Sequence, residues 1–420
     1  MTSLPTERRY AEKLDAADPL ASFRDRFAFD DSAVLYLDGN SLGRLPLATV
    51  DRIADVVRRE WGSGLIRCWG DWIELPRRAG DLLGEHLLGA AAGQVLVCDS
   101  TTVNLYKLAR AALAARPGRP VIVTDDDNFP TDRYVLAGVA SEQRARMELV
   151  HTDMDTGVTP EAIQAALAAG PALLSLSHVA YRSGALADMA EITRIAHGHG
   201  ALVLWDLCHS VGAVPVELDA CEVDLAVGCT YKYLNAGPGA PAFLYVSHRL
   251  QDSLRQPIQG WFSQRDQFAM GPVYEPVAGL GRFQAGTPDV VGTAAVEEGA
   301  KLLAEAGIGR LRDKGVQLTE YLAGLAGAWL APLGFTLASP REAARRGSHV
   351  TLHHRQAWQI SQALIHEGVI GDYRTPDRLR LGLAPITTRY TDVWDALAIL
   401  RQITEKRTYK EFPAEPARVT

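Results

Sequence analysis

Short runs that are apolar at almost every position recur through the first two thirds of the chain. Each is followed by a longer stretch whose apolar residues fall at helical spacing. Residues 94–98 (QVLVC), 120–124 (PVIVT), 147–151 (MELVH), 172–177 (ALLSLS), 201–205 (ALVLW), 223–228 and 242–246 (AFLYV) read as strands. A strand with no polar face belongs to a sheet covered on both sides. Residues 102–115, the stretch after Pro130, Pro160–Ala169 and 188–199 read as helices, the first closed by Arg116-Pro117-Gly118 and the last by Gly200. Strand–helix alternation of this kind predicts an α/β domain: a large, mostly parallel sheet of the seven-stranded type, sandwiched by helices.

Around residue 290 the pattern changes. Residues 292–330 are rich in Ala, Leu and Glu and helical in period. After Pro332, short strands (GFTLAS, HVTLHH, LRLGLAP) mix with helices over 356–367 and 391–405, which predicts a smaller α+β domain. The first fifty residues carry a helix and then the segment YLDGNSLGRLP, which ends on a proline suited to a helix start. The expected division is an N-terminal arm over 1–50 that joins the small domain, a large domain over 51–290 and a small C-terminal domain over 291–420.

Composition adds exclusions. Of 420 residues, 47% are apolar and 22% charged, ordinary for a globular protein and enough for a sizeable core. A net charge of −7 and the lack of any Lys/Arg block argue against nucleic acid as a partner. The five cysteines form no C-x-x-C pair, so a reducing compartment fits better than a disulfide framework. The first thirty residues are charged throughout and lack the apolar core of a signal peptide. No uncharged apolar run reaches the roughly 18 residues a membrane span needs. A cytoplasmic enzyme with no membrane or nucleic-acid partner is the expectation.

In open α/β sheets, ligands bind at the carboxyl ends of the strands. After QVLVC comes Asp99-Ser100-Thr101-Thr102 at a helix start, a place suited to phosphate. Ordinary helix capping explains the same residues, and no nucleotide-binding P-loop is present. The loop after PVIVT carries Phe129, which either closes the core edge or stacks on a planar ring. His178 and Tyr181-Arg182-Ser183-Gly184 follow ALLSLS. The most informative stretch is 201–239: ALVLW ends on Asp206, with His209 and Ser210 just beyond. The next strand leads into Thr230-Tyr231-Lys232-Tyr233 and the turn Gly237-Pro238-Gly239. A carboxylate and a lysine at the ends of buried strands are costly unless paired. A structural ion pair accounts for these two alone. Together with the upstream phosphate-type helix start and the glycine turn, they favour a pyridoxal 5′-phosphate site. There the lysine forms a Schiff base, and the carboxylate keeps the pyridine nitrogen protonated so that the ring withdraws electrons.

The segments YLDGNSLGRLP, STTVNL, FPTDRY, WDLCHSVGAVPVEL, TYKYLNAGPG, GWF and FQAGTPDVVG, in this order and at these spacings, resemble the kynureninase family from about Leu35 to Pro385. The resemblance implies pyridoxal-phosphate fold type I and hydrolysis of L-kynurenine to anthranilate and L-alanine. It places the chain in tryptophan catabolism by the kynurenine pathway towards NAD biosynthesis, admits 3-hydroxykynurenine as a further substrate, and implies a homodimer. It makes Lys232 the cofactor-bound lysine and later proton shuttle, sets Asp206 against the pyridinium nitrogen and lines the ring with His209. Phe129 would stack on the ring, and Asp132 would reinforce the polar contacts around the pyridine. Thr101, Thr102 and Tyr231 would contact the phosphate, with Tyr231 also an acid in the later proton transfers, and Ser177 would be a further cofactor contact. Trp261 and Thr287 would reach the phosphate from the neighbouring subunit. Arg380 would hold the substrate α-carboxylate in its fork; Arg378 shares its strand face and Arg374 lies close by. Asn40, Ser41 and Trp69 would build the substrate pocket.

Two rivals share the fold and Lys232. An aminotransferase of the same class remains the alternative. A cysteine desulfurase needs a catalytic Cys in the C-terminal part, and no Cys follows Cys229. His197 with His199, and His353 with His354, are spaced to face different directions, so no metal site is expected.

Overall fold

The structure, a computed structural model, describes residues 5–29 and 34–415. The chain begins with α1 (Arg8–Ala16) and the short strand β1 (Leu35–Tyr36). Next come α2 (Leu47–Asp55), a wide-turned continuation over Val56–Gly64, a tight turn over Leu65–Cys68, and α3 (Trp69–Leu83). Seven strands then build the main sheet: β2 (Val95–Val97), β3 (Val121–Asp125), β4 (Arg146–Val150), β5 (Leu173–Ser177), β6 (Leu202–Asp206), β7 (Leu225–Gly228) and β8 (Phe243–Val246). Their order is β2-β8-β7-β6-β5-β3-β4, with β8 antiparallel to both neighbours and the other pairings parallel. All seven lie where the apolar runs predict them.

The crossovers are α4 (Thr101–Ala114), α5 (Pro130–Glu142), α6 (Pro160–Leu167) and α7 (Met189–Gly198), with the short α8 (His248–Gln251) after the last strand. Successive strand residues point to opposite sides, and both sides are packed. Val123, Leu174, Leu176, Val203, Trp205 and Phe243 meet α3, α6 and α7. Ile122, Leu173, Leu202, Leu204, Leu225 and Leu244 meet α4 and α5. This double burial is why the runs carry no polar alternation. Truncating one such leucine to alanine costs about 2–5 kcal/mol.

Beyond the sheet, α9 (Val290–Ala306) adds Val296, Ala300 and Leu303 to the first of these cores. After Gly307 comes α10 (Ile308–Trp329), followed by β9 (Thr336–Leu337), β10 (His349–His353), α11 (Ala357–His366), β11 (Val369–Ile370), β12 (Asp372–Arg374), β13 (Arg378–Gly382) and α12 (Tyr390–Lys406). A four-stranded antiparallel sheet in the order β12-β13-β10-β9 forms here. Strand β1 pairs in parallel with β11 in a separate two-stranded sheet, and a bridge between Asp38 and Gly382 ties the start of the chain to β13. Among the described residues, no helix is long and apolar enough to cross a membrane.

Candidate active site at the strand ends

Asp206 closes β6 and Lys232 lies in the turn beyond β7, the neighbouring parallel strand. Leu207 N donates to Val227 O at 2.8 Å, which carries the register past the strand end, and Cys208 N donates to Asp206 Oδ1 at 2.7 Å. The lysine turn is pinned by Asn235 N to Lys232 O (2.9 Å), Ala236 N to Thr230 O (3.1 Å) and Thr230 Oγ1 to Pro241 O (2.7 Å). These two chain ends face one cavity of about 170 Å³. It is lined by Thr101, Thr102, Phe129, Asp132, Ser177, Asp206, His209, Tyr231 and Lys232, with Thr131, Tyr181 and Cys208. The structure thus gathers nine of the residues singled out in the sequence into one place.

The helix start after β2 serves two ends at once. Ser100 caps α4 by accepting from Val103 N at 3.3 Å, leaving the first-turn residues Thr101 and Thr102 at the cavity. The loop is anchored from below by Lys107, which is fully buried and donates to Asp99 Oδ2 (2.6 Å) and Phe283 O (2.8 Å). Phe129 precedes α5 and meets Tyr181 edge to face at 5.3 Å. Ser177 Oγ donates to Asn128 Oδ1 at 2.7 Å.

The electrostatics are those of a buried site. Burial, reinforced by the charge and hydrogen bond of Asp206, pushes the Asp132 carboxyl well above the usual carboxylate range. Burial works against the Lys232 ammonium; Cys229, Cys208, Tyr231 and Asp206 outweigh it and hold the pKa above the ordinary lysine value. Burial, then the Lys232 and Arg380 charges, drives His209 well below the usual histidine value, so its ring is neutral. His209 Nε2 stands 3.1 Å from Lys232 Nζ and 3.1 Å from Asn40 O. Burial, then Cys229, raises the Tyr231 phenol to about 12.

These residues fit pyridoxal phosphate by their own chemistry. Asp132 and Asp206 stand together at the cavity with Asp132 Oδ2 buried and unpartnered, a pair of carboxyl groups in which Asp206 would meet a protonated ring nitrogen and Asp132 would support it. Across the same cavity lie a lysine and a helix N-terminus with two hydroxyls, as an aldehyde and a phosphate require.

Arg380 lies on β13, behind Tyr181, and is 1% exposed. It donates to Asp372 through Nε (2.9 Å) and Nη2, to Tyr181 O through Nη1 (2.6 Å) and to Ser41 Oγ through Nη2 (2.9 Å). The Asn40 amide faces donors only with its oxygen toward this guanidinium, where it accepts from Nε at 2.8 Å and Nη2 at 3.0 Å. Arg374 Nη2 pairs with Asp372 Oδ2 at 2.7 Å. Arg378, although on the same strand face as Arg380, is taken up by Asp155 (2.8 Å) and Asp377.

Six expected residues do not line the cavity: Arg380, Asn40 and Ser41 form the adjoining cluster just described, and Trp69, Trp261 and Thr287 lie apart from both. Trp69 packs edge to face on Trp72 and Phe262. Trp261 is half-exposed, with its ring N–H on Gln267 O at 3.1 Å, and Thr287 is exposed. Conversely, several site residues escaped the sequence reading. Cys208 lies inside WDLCHSVGAVPVEL with no signal of its own, whereas Tyr181 is among the polar groups that follow ALLSLS. Asp372 sits on a three-residue strand that leaves no periodic signal. His349 stands 5.5 Å from the His209 ring, fully buried, with neither ring nitrogen partnered.

Comparison with known proteins comes to the same family as the motifs. The kynureninase C-terminal domain model matches residues 311–400, and the DegT/DnrJ/EryC1/StrS aminotransferase family model matches residues 86–227. The chain is 44% identical over 414 residues to a kynureninase of Pseudomonas fluorescens, covering 97% of each protein. It is 43% identical over 418 residues to a kynureninase of Burkholderia pseudomallei (strain 1106a), covering 98% of this chain and 99% of that protein. Among solved structures, the apo cysteine desulfurase of Thermococcus onnurineus NA1 superposes with a TM-score of 0.79 at 16% identity, covering 97% of this chain and 100% of that one. A C-DES mutant with glycine covalently linked to its PLP cofactor superposes with a TM-score of 0.75 at 19% identity, covering 88% and 97%. At such identities these structures speak for the fold alone.

Proposed function

The chain belongs to the kynureninase family and is a pyridoxal-phosphate-dependent hydrolase of L-kynurenine, and we propose that Lys232, Asp206, Tyr231 and Arg380 carry its reaction. The overall change is L-kynurenine plus water to anthranilate plus L-alanine. The observation that carries the assignment of residues is the one buried cavity in which Lys232, the Asp132–Asp206 pair and the start of α4 converge.

When bound, pyridoxal phosphate supplies an aldehyde that takes up amines and a protonated ring that draws electrons from the carbon beside the amine. Lys232 is the amine that holds the cofactor and, once freed by substrate, the base that takes the proton from the substrate α-carbon. The His209 ring, 3.1 Å from Lys232 Nζ, stays neutral and lines the site beside the lysine without adding a charge to it. Asp206, with Asp132 behind it, holds the ring-nitrogen proton in place. Thr101 and Thr102 bind the phosphate together with Tyr231. The Tyr231 phenol, with its pKa near 12, stays protonated at neutral pH and donates late in the reaction. Phe129 covers the ring, and Ser177 orients polar contacts beside it. Arg380 receives the α-carboxylate and turns the α-carbon toward Lys232, with Asn40 and Ser41 beside it. These assignments rest on the motif positions; the shared cavity supports those around Lys232, and the hydrogen bonds among Arg380, Asn40 and Ser41 support the last three.

A homodimer belongs to this reading, with Trp261 and Thr287 reaching the phosphate of the other subunit and Trp69 at the pocket's edge. Large apolar side chains left in water support it: Trp61 is 60% exposed, Ile66 75%, Phe268 66% and Met270 72%. The five cysteines are all free thiols, which supports a reducing, cytoplasmic setting. One experiment tests the function. Purified protein is expected to show a visible absorption band that borohydride abolishes, and to form fluorescent anthranilate from kynurenine. A colourless protein that pyridoxal phosphate cannot reconstitute would overturn the reading. Running 3-hydroxykynurenine alongside measures the preference between the two substrates.

A further inference from the structure

The guanidinium of Arg380 has five N–H groups in one plane, and the structure shows what each edge meets. One edge is closed by a charge: Asp372 accepts from Nε at 2.9 Å and from Nη2, the two-pronged geometry that fixes a guanidinium in orientation as well as position. Its remaining partners are neutral oxygens: Tyr181 O from Nη1 at 2.6 Å, Ser41 Oγ from Nη2 at 2.9 Å, and the Asn40 amide oxygen, which lies 2.8 Å from Nε and 3.0 Å from Nη2. We propose that Asp372 is the positioning residue for Arg380, and that the Ser41 hydroxyl occupies the place that an α-carboxylate oxygen of the substrate takes. This rests on the reading above, in which Arg380 receives that carboxylate.

The sheet fixes the pair. Asp372 lies directly opposite Arg380 across β12 and β13, so their backbones, and not only two side-chain rotamers, hold them together. Asp372 is also held from two further sides, by Arg374 Nη2 at 2.7 Å and by the Ser41 hydroxyl, which donates at 3.2 Å. An incoming carboxylate therefore meets one edge that a buried ion pair defends and one that a hydroxyl and a carbonyl give up at low cost. Breaking the Asp372–Arg380 pair would leave a buried charge without its counter-ion, a costly exchange. Replacing Ser41 Oγ on Nη2 by a carboxylate oxygen gains a charge-assisted bond. Asp372 thus keeps Arg380 aimed while the substrate comes and goes, and Arg374 keeps Asp372 from following the substrate.

The test compares Asp372→Asn, Asp372→Glu and Arg380→Ala in the cofactor-loaded enzyme. Asp372→Asn keeps the shape but loses the charge that orients the fork. It is expected to raise KM for kynurenine by about tenfold or more while kcat stays within about threefold. The dissociation constant of L-alanine, which carries the same α-carboxylate without the aryl ring, is expected to rise by a similar factor when titrated by absorbance. The borohydride-sensitive band should not move, because the cofactor contacts are untouched, whereas the melting temperature should fall with the loss of the buried ion pair. Asp372→Glu, which keeps the charge on a longer arm, should fall between wild type and Asp372→Asn. Adding Asp372→Asn to Arg380→Ala should cost nothing further, because both act on one contact. A KM that is unchanged or lower in Asp372→Asn, while Arg380→Ala raises it, overturns this inference alone; a lower value would make Asp372 a competitor of the substrate. An unchanged KM in Arg380→Ala overturns the role of Arg380, and this inference with it.

Discussion

Asp38 sits beside the substrate end of the site, and its carboxyl is pushed up to about 7, by burial first and the Asp372 charge second, against the pull of Arg380, Ser41 and Arg374. Tyr233 and Tyr36 complete the titratable groups that sense it. An acid with a raised pKa is protonated below that value and ionised above it. The stability it contributes is therefore full below its unfolded value of about 3.9 and lost as pH rises through 7. The same proton matters to binding, because it makes the surroundings of Arg380 one charge less negative. KM for kynurenine is therefore expected to rise as pH climbs through 7, with kcat much less affected, and Asp38→Asn is expected to flatten that limb. A limb that survives in Asp38→Asn would assign it to another group. Nothing in the sequence marked Asp38, although it lies within the quoted YLDGNSLGRLP. A carboxylate in a loop acquires this character from burial and from Asp372, which the fold brings to it from far along the chain. Arg374, Arg378 and Arg380 were likewise inseparable by alternation. What separates them is what each meets, Asp155 for Arg378 and Asp372 for the other two.

At the level of elements, legibility followed burial. The seven large-sheet strands were readable because helices cover both faces, so apolar residues fill every position. Strands β1, β11 and β12 are two or three residues long and lie below any periodic signal. Two glycines show how tightly the elements close on the lysine turn. A Cβ at Gly43, the last residue of GNSLG, would overlap Lys232 O, and one at Gly299 on α9 would overlap Leu234 O, two residues past the lysine. Gly299→Ala must therefore shift α9 or the lysine turn. It is expected to cost about 1–3 kcal/mol, read as a lower melting temperature, and to weaken retention of pyridoxal phosphate. The control is Gly327→Ala on α10, where an added Cβ meets nothing within 4 Å. That change should be neutral or stabilise by up to about 1 kcal/mol. Equal effects from the two substitutions would mean that the contact with Leu234 carries no weight.

At the scale of the whole molecule, the proposed homodimer predicts complementation. Lys232→Ala and Trp261→Ala subunits, each inactive alone, are expected to regain about a quarter of wild-type activity when unfolded and refolded together. Half of the random dimers are then mixed, and each mixed dimer has one site with both residues intact. No recovery in verified mixed dimers would place Trp261 in its own subunit's site or outside both. The intramolecular tie between Ser41 and Arg380 has a consequence in time. These residues are 339 positions apart, and β1 likewise waits for β11. In a chain made from its N-terminus, every strand of the large sheet and the Lys232 turn have emerged before the partners of β1 and Ser41 exist. Contacts that close so long a loop form late. The pocket for pyridoxal phosphate thus precedes the grip on the amino acid during biosynthesis, and a newly made chain can take up its cofactor before it can take up kynurenine.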